Sequence, residues 1–439
     1  MSFRRYADLP AELRSEIRKF AVDERRDISQ EQYFGTELRV RGRELPIALL
    51  ACVNKEWQFD VERCLFRRLE LHHCPKCSLL ALEISDLRYL DILVTGARRS
   101  FVRYIELRVE RHAICASPME NFSDHRGTVA HHAIDWLFRI LKKWQMPKNR
   151  QALLGINLIF ENSFWDIAWP PFEHTELSVV PLVGWLRVSS VDFSIPLLLS
   201  SLIGIGNKLP NLKGLQISVG TRLYHASECV EFVNNMSQII PKLRQVDILA
   251  GALAITEEIA GIQDTPHLQK PLSRTLREIS YGLEKMNLSN IVDVASFFAP
   301  FSSENYRPVS FTGPTWPRLR TFWLSGTDTF ERTSHDQKME VGNRLGASVG
   351  RAIEFMPELE RMEITTRMDP DDTEDSEITN YIVFTLERTS RKDNTGAGSN
   401  HVLFEVHNYR PSSTVLKIWT DWLGRIQGRH LQVEYIRFD

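Results

Sequence analysis

Pro210-Asn211-Leu212-Lys213-Gly214-Leu215-Gln216-Ile217 returns in altered form at Pro241-Lys242-Leu243-Arg244-Gln245-Val246-Asp247-Ile248. In both stretches a proline is followed by apolar residues at the second, fifth and seventh positions after it. Proline stops a preceding helix and delivers the chain into an extended segment. The alternation that follows is that of a strand with one buried face. The same apolar-x-x-apolar-x-apolar spacing occurs at Phe66/Leu69/Leu71, Val102/Ile105/Leu107, Leu153/Ile156/Leu158, Val188/Val191/Phe193, Leu276/Ile279/Tyr281, Leu319/Phe322/Leu324 and Leu359/Met362/Ile364. Two of these copies, at Leu319 and Leu359, carry the same upstream proline, Pro317 and Pro357.

Helical periodicity fits between the copies at His132–Trp144, Ala226–Ile240, Asn290–Phe298 and Met339–Met356. The predicted unit is helix, proline, strand, and the fold class is mixed α/β. Start-to-start separations run from 24 (212 minus 188) to 51 (153 minus 102), whereas a regular leucine-rich repeat runs 20 to 29. The Asn or Cys that normally follows the third apolar position is replaced by Gly220, Gly251 and Thr327. The array resembles a leucine-rich-repeat-like solenoid of irregular, helix-containing units, which would occupy residues 72–439. A compact α/β domain with another strand order fits the same pattern. His401–His407 and Leu431–Phe438 read as closing strands, and Asp369–Glu377 and Ser390–Asn400 as surface loops.

Ahead of the array, Asp8 and Pro10 form a helix start, followed by Leu13, Ile17 and Phe20 at helical spacing. Leu45 to Asp60 reads as a second helix, with Val61, Leu65 and Phe66 continuing its apolar pattern. Leu9-Pro10-x-Glu12-Leu13-x-x-x-Ile17, then Leu49-Leu50-Ala51-Cys52-Val53-Asn54-Lys55-Glu56-Trp57, then Leu65-Phe66-Arg67-Arg68-Leu69-Glu70-Leu71, resembles the F-box pattern of three helices with a strand-like exit. The likeness covers residues 5–71 and is similar in arrangement to fungal F-box proteins. It implies docking onto Skp, the adaptor of cullin-RING ubiquitin ligases. Leu9, Pro10, Leu13, Ile17, Leu49, Leu50, Val53 and Trp57 would form the adaptor-binding group, with Trp57 more a core anchor than a contact. The charged segment Asp23 to Glu44 is longer than the usual F-box connection.

On a curved array, the third and fifth positions of each strand point away from the helices. The fifth reads Glu70, Glu106, Asn157, Asp192, Gln216, Asp247, Ser280, Trp323 and Glu363, mostly acidic with one outward tryptophan. The expected target-binding face is Tyr104, Glu106, Asp192, Asp247, Glu278, Trp323, Arg361 and Glu363. A basic target segment is its expected complement. Charge carried only to keep exposed strands soluble explains the same row.

Other chemistry is weakly signalled. Net charge is -2 with both signs interspersed, which gives no electrostatic reason to expect nucleic acid or an anionic membrane. The apolar stretch Phe193–Ile205 is broken by Pro196 and falls short of the roughly 20 residues that span a bilayer. With no leader-like N-terminus, a cytoplasmic or nuclear protein with free thiols is expected. Gly346-Ala347-Ser348-Val349-Gly350 spells a hydrolase nucleophile elbow, but its surroundings read as one helix rather than strand-turn-helix. Cys74-Pro75-Lys76-Cys77, with His72 and His73, lacks a second ligand pair at zinc-site spacing. No cofactor is expected. The leading expectation is a non-enzymatic substrate receptor that binds the Skp adaptor, the cullin-RING core and an unidentified protein target. A non-ligase scaffold, and remotely a hydrolase using Ser348, are the alternatives.

Overall fold

A computed structural model describes residues 9, 11–18, 54–73, 86–109, 126–144, 153–160, 177–190, 199–219, 243–250, 265–302, 315–327, 335–367, 381–392, 398–407, 410–425 and 430–436. Their fold is mixed α/β. Twelve strands form one sheet in which spatial order equals chain order. They are β1 (Arg68–His73), β2 (Tyr104–Val109), β3 (Leu154–Phe160), β4 (Val183–Ser190), β5 (Gly214–Val219), β6 (Gln245–Ala250), β7 (Lys285–Val292), β8 (Thr321–Thr327), β9 (Arg361–Arg367), β10 (Tyr381–Lys392), β11 (Gly398–His407) and β12 (His430–Ile436). β1 to β9 are parallel, β10 is antiparallel to both neighbours, and β11 and β12 are parallel.

Successive strands stack in register, so equivalent side chains form rows across the sheet. Leu71, Leu107, Leu158, Val188, Ile217, Ile248, Leu288, Leu324, Ile364 and Phe384 make one row, every member buried. A second row runs from Ile105 through Ile156, Leu186, Leu215, Val246, Met286, Phe322 and Met362 to Leu386. Each such side chain contributes roughly 1.5–3 kcal/mol on burial. The rows share one core with the helices. α1 comprises residues 11–18, α2 Lys55–Leu65, α3 Asp86–Leu93, α4 Arg98–Phe101, α5 Arg126–Lys142, α6 Leu199–Asn207, α7 Thr265–Ser280, α8 Val294–Phe297, α9 His335–Ile353 and α10 Ser413–Arg425. α5, for example, buries Ala133, Ile134, Leu137, Phe138 and Leu141 at helical spacing.

Two predicted strands are displaced. The copy read at Val188/Val191/Phe193 is instead Val183/Leu186/Val188, with Pro181 two residues upstream. The copy read at Leu276/Ile279/Tyr281 is the end of α7, and the strand lies at Leu283/Met286/Leu288. The spacing i, i+3 is shared by a helix face and by this strand motif, so either assignment satisfies it. The stretch Asn290–Phe298, read as one helix, divides into the end of β7 and α8, whose N-cap Asp293 accepts the Ser296 N–H. Of the second predicted helix, residues 45–53 lie outside the described residues, and the described part begins α2 at Lys55, where Asn54 is extended and its side chain accepts the Trp57 N–H at 3.0 Å. β10 was not anticipated, and with β11 it narrows the loop expected at Ser390–Asn400. Ala226–Ile240, Asp23–Glu44 and Asp369–Glu377 lie outside the described residues. The boundary expected between residues 71 and 72 passes through β1, which is a member of the sheet.

Between β7 and β8 the described residues hold α8 and a 3-10 turn at Ala299–Phe301. Phe297, Phe298, Phe301 and Trp316 fill this gap against Phe322. The Trp316 indole N–H donates to the buried Ser280 hydroxyl at 2.6 Å. Buried Arg277 donates to the carbonyls of Ser296 and Phe297 at 3.0 Å, where the helix end favours a cation. Among the described residues no helix is long and apolar enough to cross a membrane.

Candidate functional site

Two surfaces carry the predicted binding residues. The first is N-terminal. Arg18 on α1 binds Glu56 at 2.7 Å and also pairs with Asp60, while Arg14 approaches Glu56 at 3.7 Å. These ion pairs turn α1 so that its basic side meets α2. Leu13 and Ile17, one helical turn apart, are left 52% and 42% exposed. Leu9 is half-buried. Trp57 and Val61 on α2 are buried, so Trp57 is placed to hold the helix rather than to meet a partner. Pro10, Leu49, Leu50 and Val53 lie outside the described residues.

The second surface is the sheet face opposite the two apolar rows. One outward row reads Arg68, Tyr104, Gly155, Trp185, Gly214, Gln245, Lys285, Thr321, Arg361 and Glu387. The next reads Glu70, Glu106, Asn157, Arg187, Gln216, Asp247, Asn287, Trp323, Glu363 and Thr385. Tyr104, Glu106, Asp247, Trp323, Arg361 and Glu363 therefore do share a face, as expected. Glu278 does not: it lies on α7, paired with Arg274 at 3.1 Å. Asp192 lies outside the described residues, and the position assigned to it belongs to Arg187. With Glu278 on a helix and Arg187 and Lys285 in the outward rows, the described face is a mixed-charge surface rather than an acidic one.

Glu106 is also not a free acid. It is 2% exposed, and Arg108 holds one carboxylate oxygen at 2.7 Å while Arg68 and Asn157 hold the other at 3.0 and 3.2 Å. Burial pushes its pKa up, but the hydrogen bond and charge of Arg108, with Asn157 and Arg68, outweigh burial and leave it lowered. This cluster ties β1, β2 and β3 together. The Tyr104 hydroxyl pKa is raised, first by burial and then by the Glu106 charge. Asp247 is raised by burial, which exceeds the help it gets from the Gln245 amide at 2.9 Å and from the charges of Lys285 and Arg187. Trp323 is half-buried, and its ring is covered by the Arg361 guanidinium 5.9 Å from the centroid.

The aromatic that sequence reasoning missed is Trp185, 43% exposed. β4 carries a one-residue irregularity: Leu154 pairs with Val183, but Gly155 pairs with Trp185. The extra residue, Gly184, flips the side-chain alternation, so Trp185 turns outward where continuous pairing would aim it at the core. Its ring lies over Gly214 on the next strand; a Cβ there would come within 2.7 Å of Cδ2. Tyr104 lies over Gly155 in the same way, its Cδ2 2.8 Å from where a Cβ would be. The proline offset of the repeat, Pro181 before Val183, was the signal that could have found this strand.

The catalytic and metal motifs have other places in the fold. Ser348 is inside α9, its hydroxyl donating to the Arg344 carbonyl at 2.9 Å. Gly346 and Gly350 form the seat for Trp419 of α10, whose indole N–H donates to the Gly346 carbonyl at 3.0 Å. The strand-turn-helix of a nucleophile elbow is absent from this described stretch. His72 and His73 are neighbours on β1 and so project to opposite faces. His73 is buried edge-on to Trp136 at 6.4 Å, and Cys74 to Cys77 lie outside the described residues.

Residues 239–438 match the model of a family of unknown function, DUF6546. The matched segment takes in β6 to β12 and with them Asp247, Trp323, Arg361 and Glu363, while Trp185 and Arg187 precede it. No curated protein and no solved structure matches the chain.

Proposed function

We propose that this chain is a substrate-recognition adaptor of a Skp-cullin-F-box ubiquitin ligase, working without chemistry of its own, in the cytoplasm or nucleus. The observation that carries the reading is the exposed pair Leu13 and Ile17. They stand on a helix whose other side is fixed to α2 by three ion pairs, and they are two of the positions that the F-box resemblance assigns to the Skp adaptor. An apolar pair held outward on a braced helix is suited to a partner's groove. The in-order strands, mostly joined by helix-bearing connections, support a leucine-rich-repeat-like solenoid as the second part. Its free sheet face is the target-binding surface.

The test is co-purification of the intact chain with the Skp adaptor and a cullin. The native chain should bring both down, and Leu13→Asp combined with Ile17→Asp should lose them with thermal stability unchanged, since neither side chain is buried. Recovery of both partners with the double variant, or of neither with the native chain, would remove the ligase reading. A scaffold that uses the same surface for another protein would then take its place.

A further inference from the structure

Trp185 and Arg187 stand on one strand, two residues and thus about 7 Å apart, on the same face. Both are exposed. The Trp185 ring is bedded on Gly214, so one ring face is spent on the strand and the rest is open. Arg187 differs from every arginine near it: Arg68 and Arg108 are committed to Glu106, whereas no described residue makes a hydrogen bond or ion pair with Arg187. Its field reaches Tyr104 on one side and Asp247 on the other. Asp247, two strands away, is about 10 Å off and is engaged by Gln245. The uncompensated acids Glu363 and Glu387 lie on β9 and β10. They are about 24 Å or more from Arg187, well past the ~8 Å screening length at physiological salt.

From this geometry we infer that Trp185 and Arg187 form the recognition point for an extended peptide segment carrying a carboxylate side chain beside an apolar one. The apolar group lies on the indole, and the carboxylate takes the open guanidinium fork in a bidentate pair. Trp and Arg are the residue types that dominate binding energy at such points. A carboxylate suits the site better than a phosphate: there is one free guanidinium rather than a cluster, and Asp247 beyond it opposes a dianion. The partner chemistry is therefore the reverse of the basic segment that an acidic face would call for.

This deepens the reading of the sheet face as the target surface and rests on it. The test separates the two. The intact purified chain is titrated onto an array of synthetic dodecapeptides in a Gly-Ser background. Each peptide holds one leucine and, one to four residues away, one Glu, Gln, Lys or phosphoserine. The Glu series should bind best, at a separation that spans the two side chains. Trp185→Ala should weaken it at least tenfold, and Arg187→Gln should do the same. Arg187→Glu should transfer preference to the Lys series. Arg187→Lys should retain part of the binding. Circular dichroism checks the fold, and should a variant not fold, the ranking of the four series on the native chain still decides. Preference of the native chain for Lys or phosphoserine, no binding in any series, or a Glu preference indifferent to Trp185→Ala would overturn the inference. Adaptor co-purification, measured on the same variants, should be unchanged. Its loss from the native chain would remove the ligase reading while leaving the peptide result standing.

Discussion

The indole of Trp419 lies against the α9 backbone at Gly350, so close that a Cβ there would fall 2.6 Å from Nε1. Trp419 is 2% exposed and held by its bond to the Gly346 carbonyl, so it has nowhere to swing. Alanine at position 350 would gain up to about 1 kcal/mol of helix propensity but force overpacking that costs about 1–3 kcal/mol. Gly350→Ala should therefore lower stability by up to about 2 kcal/mol in urea titration. A stabilised variant would mean that α9 and α10 do not meet as described.

Removing the Glu106 carboxylate should be costly for the opposite reason, loss of a charge rather than excess of volume. Glu106→Ala leaves Arg108, Arg68 and the Asn157 amide facing one empty position. The loss should be about 2–3 kcal/mol, between that for an unsatisfied polar group and that for a broken buried pair, because Arg68 is half exposed. Glu106→Gln keeps acceptors in place and should lose less. Because its folded pKa is lowered from 4.5, Glu106 adds stability that is present above that pH and lost as pH falls through the folded value. Equal urea midpoints for native and Ala variants would refute the cluster's role.

His73 should make the fold acid-sensitive at a higher pH than the carboxylates do. Burial, then the charge of His132, pushes its pKa from 6.5 down to about 4, against the opposing pull of Asp86. The unfolded chain binds the proton first, so stability is complete above pH 6.5 and declines as pH falls toward about 4, by about 3 kcal/mol at most. Thermal melts between pH 7 and 4 should show that slope in the native chain and a shallower one in His73→Phe. Identical slopes would assign the sensitivity elsewhere.

Most of the sheet was legible from local pattern. Copies marked by Pro210, Pro241, Pro317 and Pro357 became β5, β6, β8 and β9 at the expected residues, because proline and the alternation that follows it are local constraints. The copies at Phe66, Val102 and Leu153, which lack that proline, also became β1, β2 and β3 in place, and only two copies slid. Leu276/Ile279/Tyr281 met the template while belonging to a helix, and a five-residue slip at β4 replaced Arg187 by Asp192. The charge of the proposed face turned on that slip and on the placement of Glu278.

By itself the sequence determined the mixed α/β class, the strand alternation that buries Leu215, Ile217, Val246 and Ile248, and an N-terminal segment with Leu13 and Ile17 on one side of a helix. These depend on periods of two and 3.6 residues, which any short window contains. Only the tertiary structure decided that Glu106 is a paired, buried acid, that Gly346 and Gly350 seat an indole, and that Trp185 points outward. Each of these depends on which residue of a distant strand or helix stands opposite: Arg68 and Asn157 for Glu106, Trp419 for the glycines, and for Trp185 the bulge at Gly184 that reverses the alternation, with Gly214 leaving room for the ring. Register between strands that lie tens of residues apart in the chain is set by the packing of the whole sheet, and no local period encodes it.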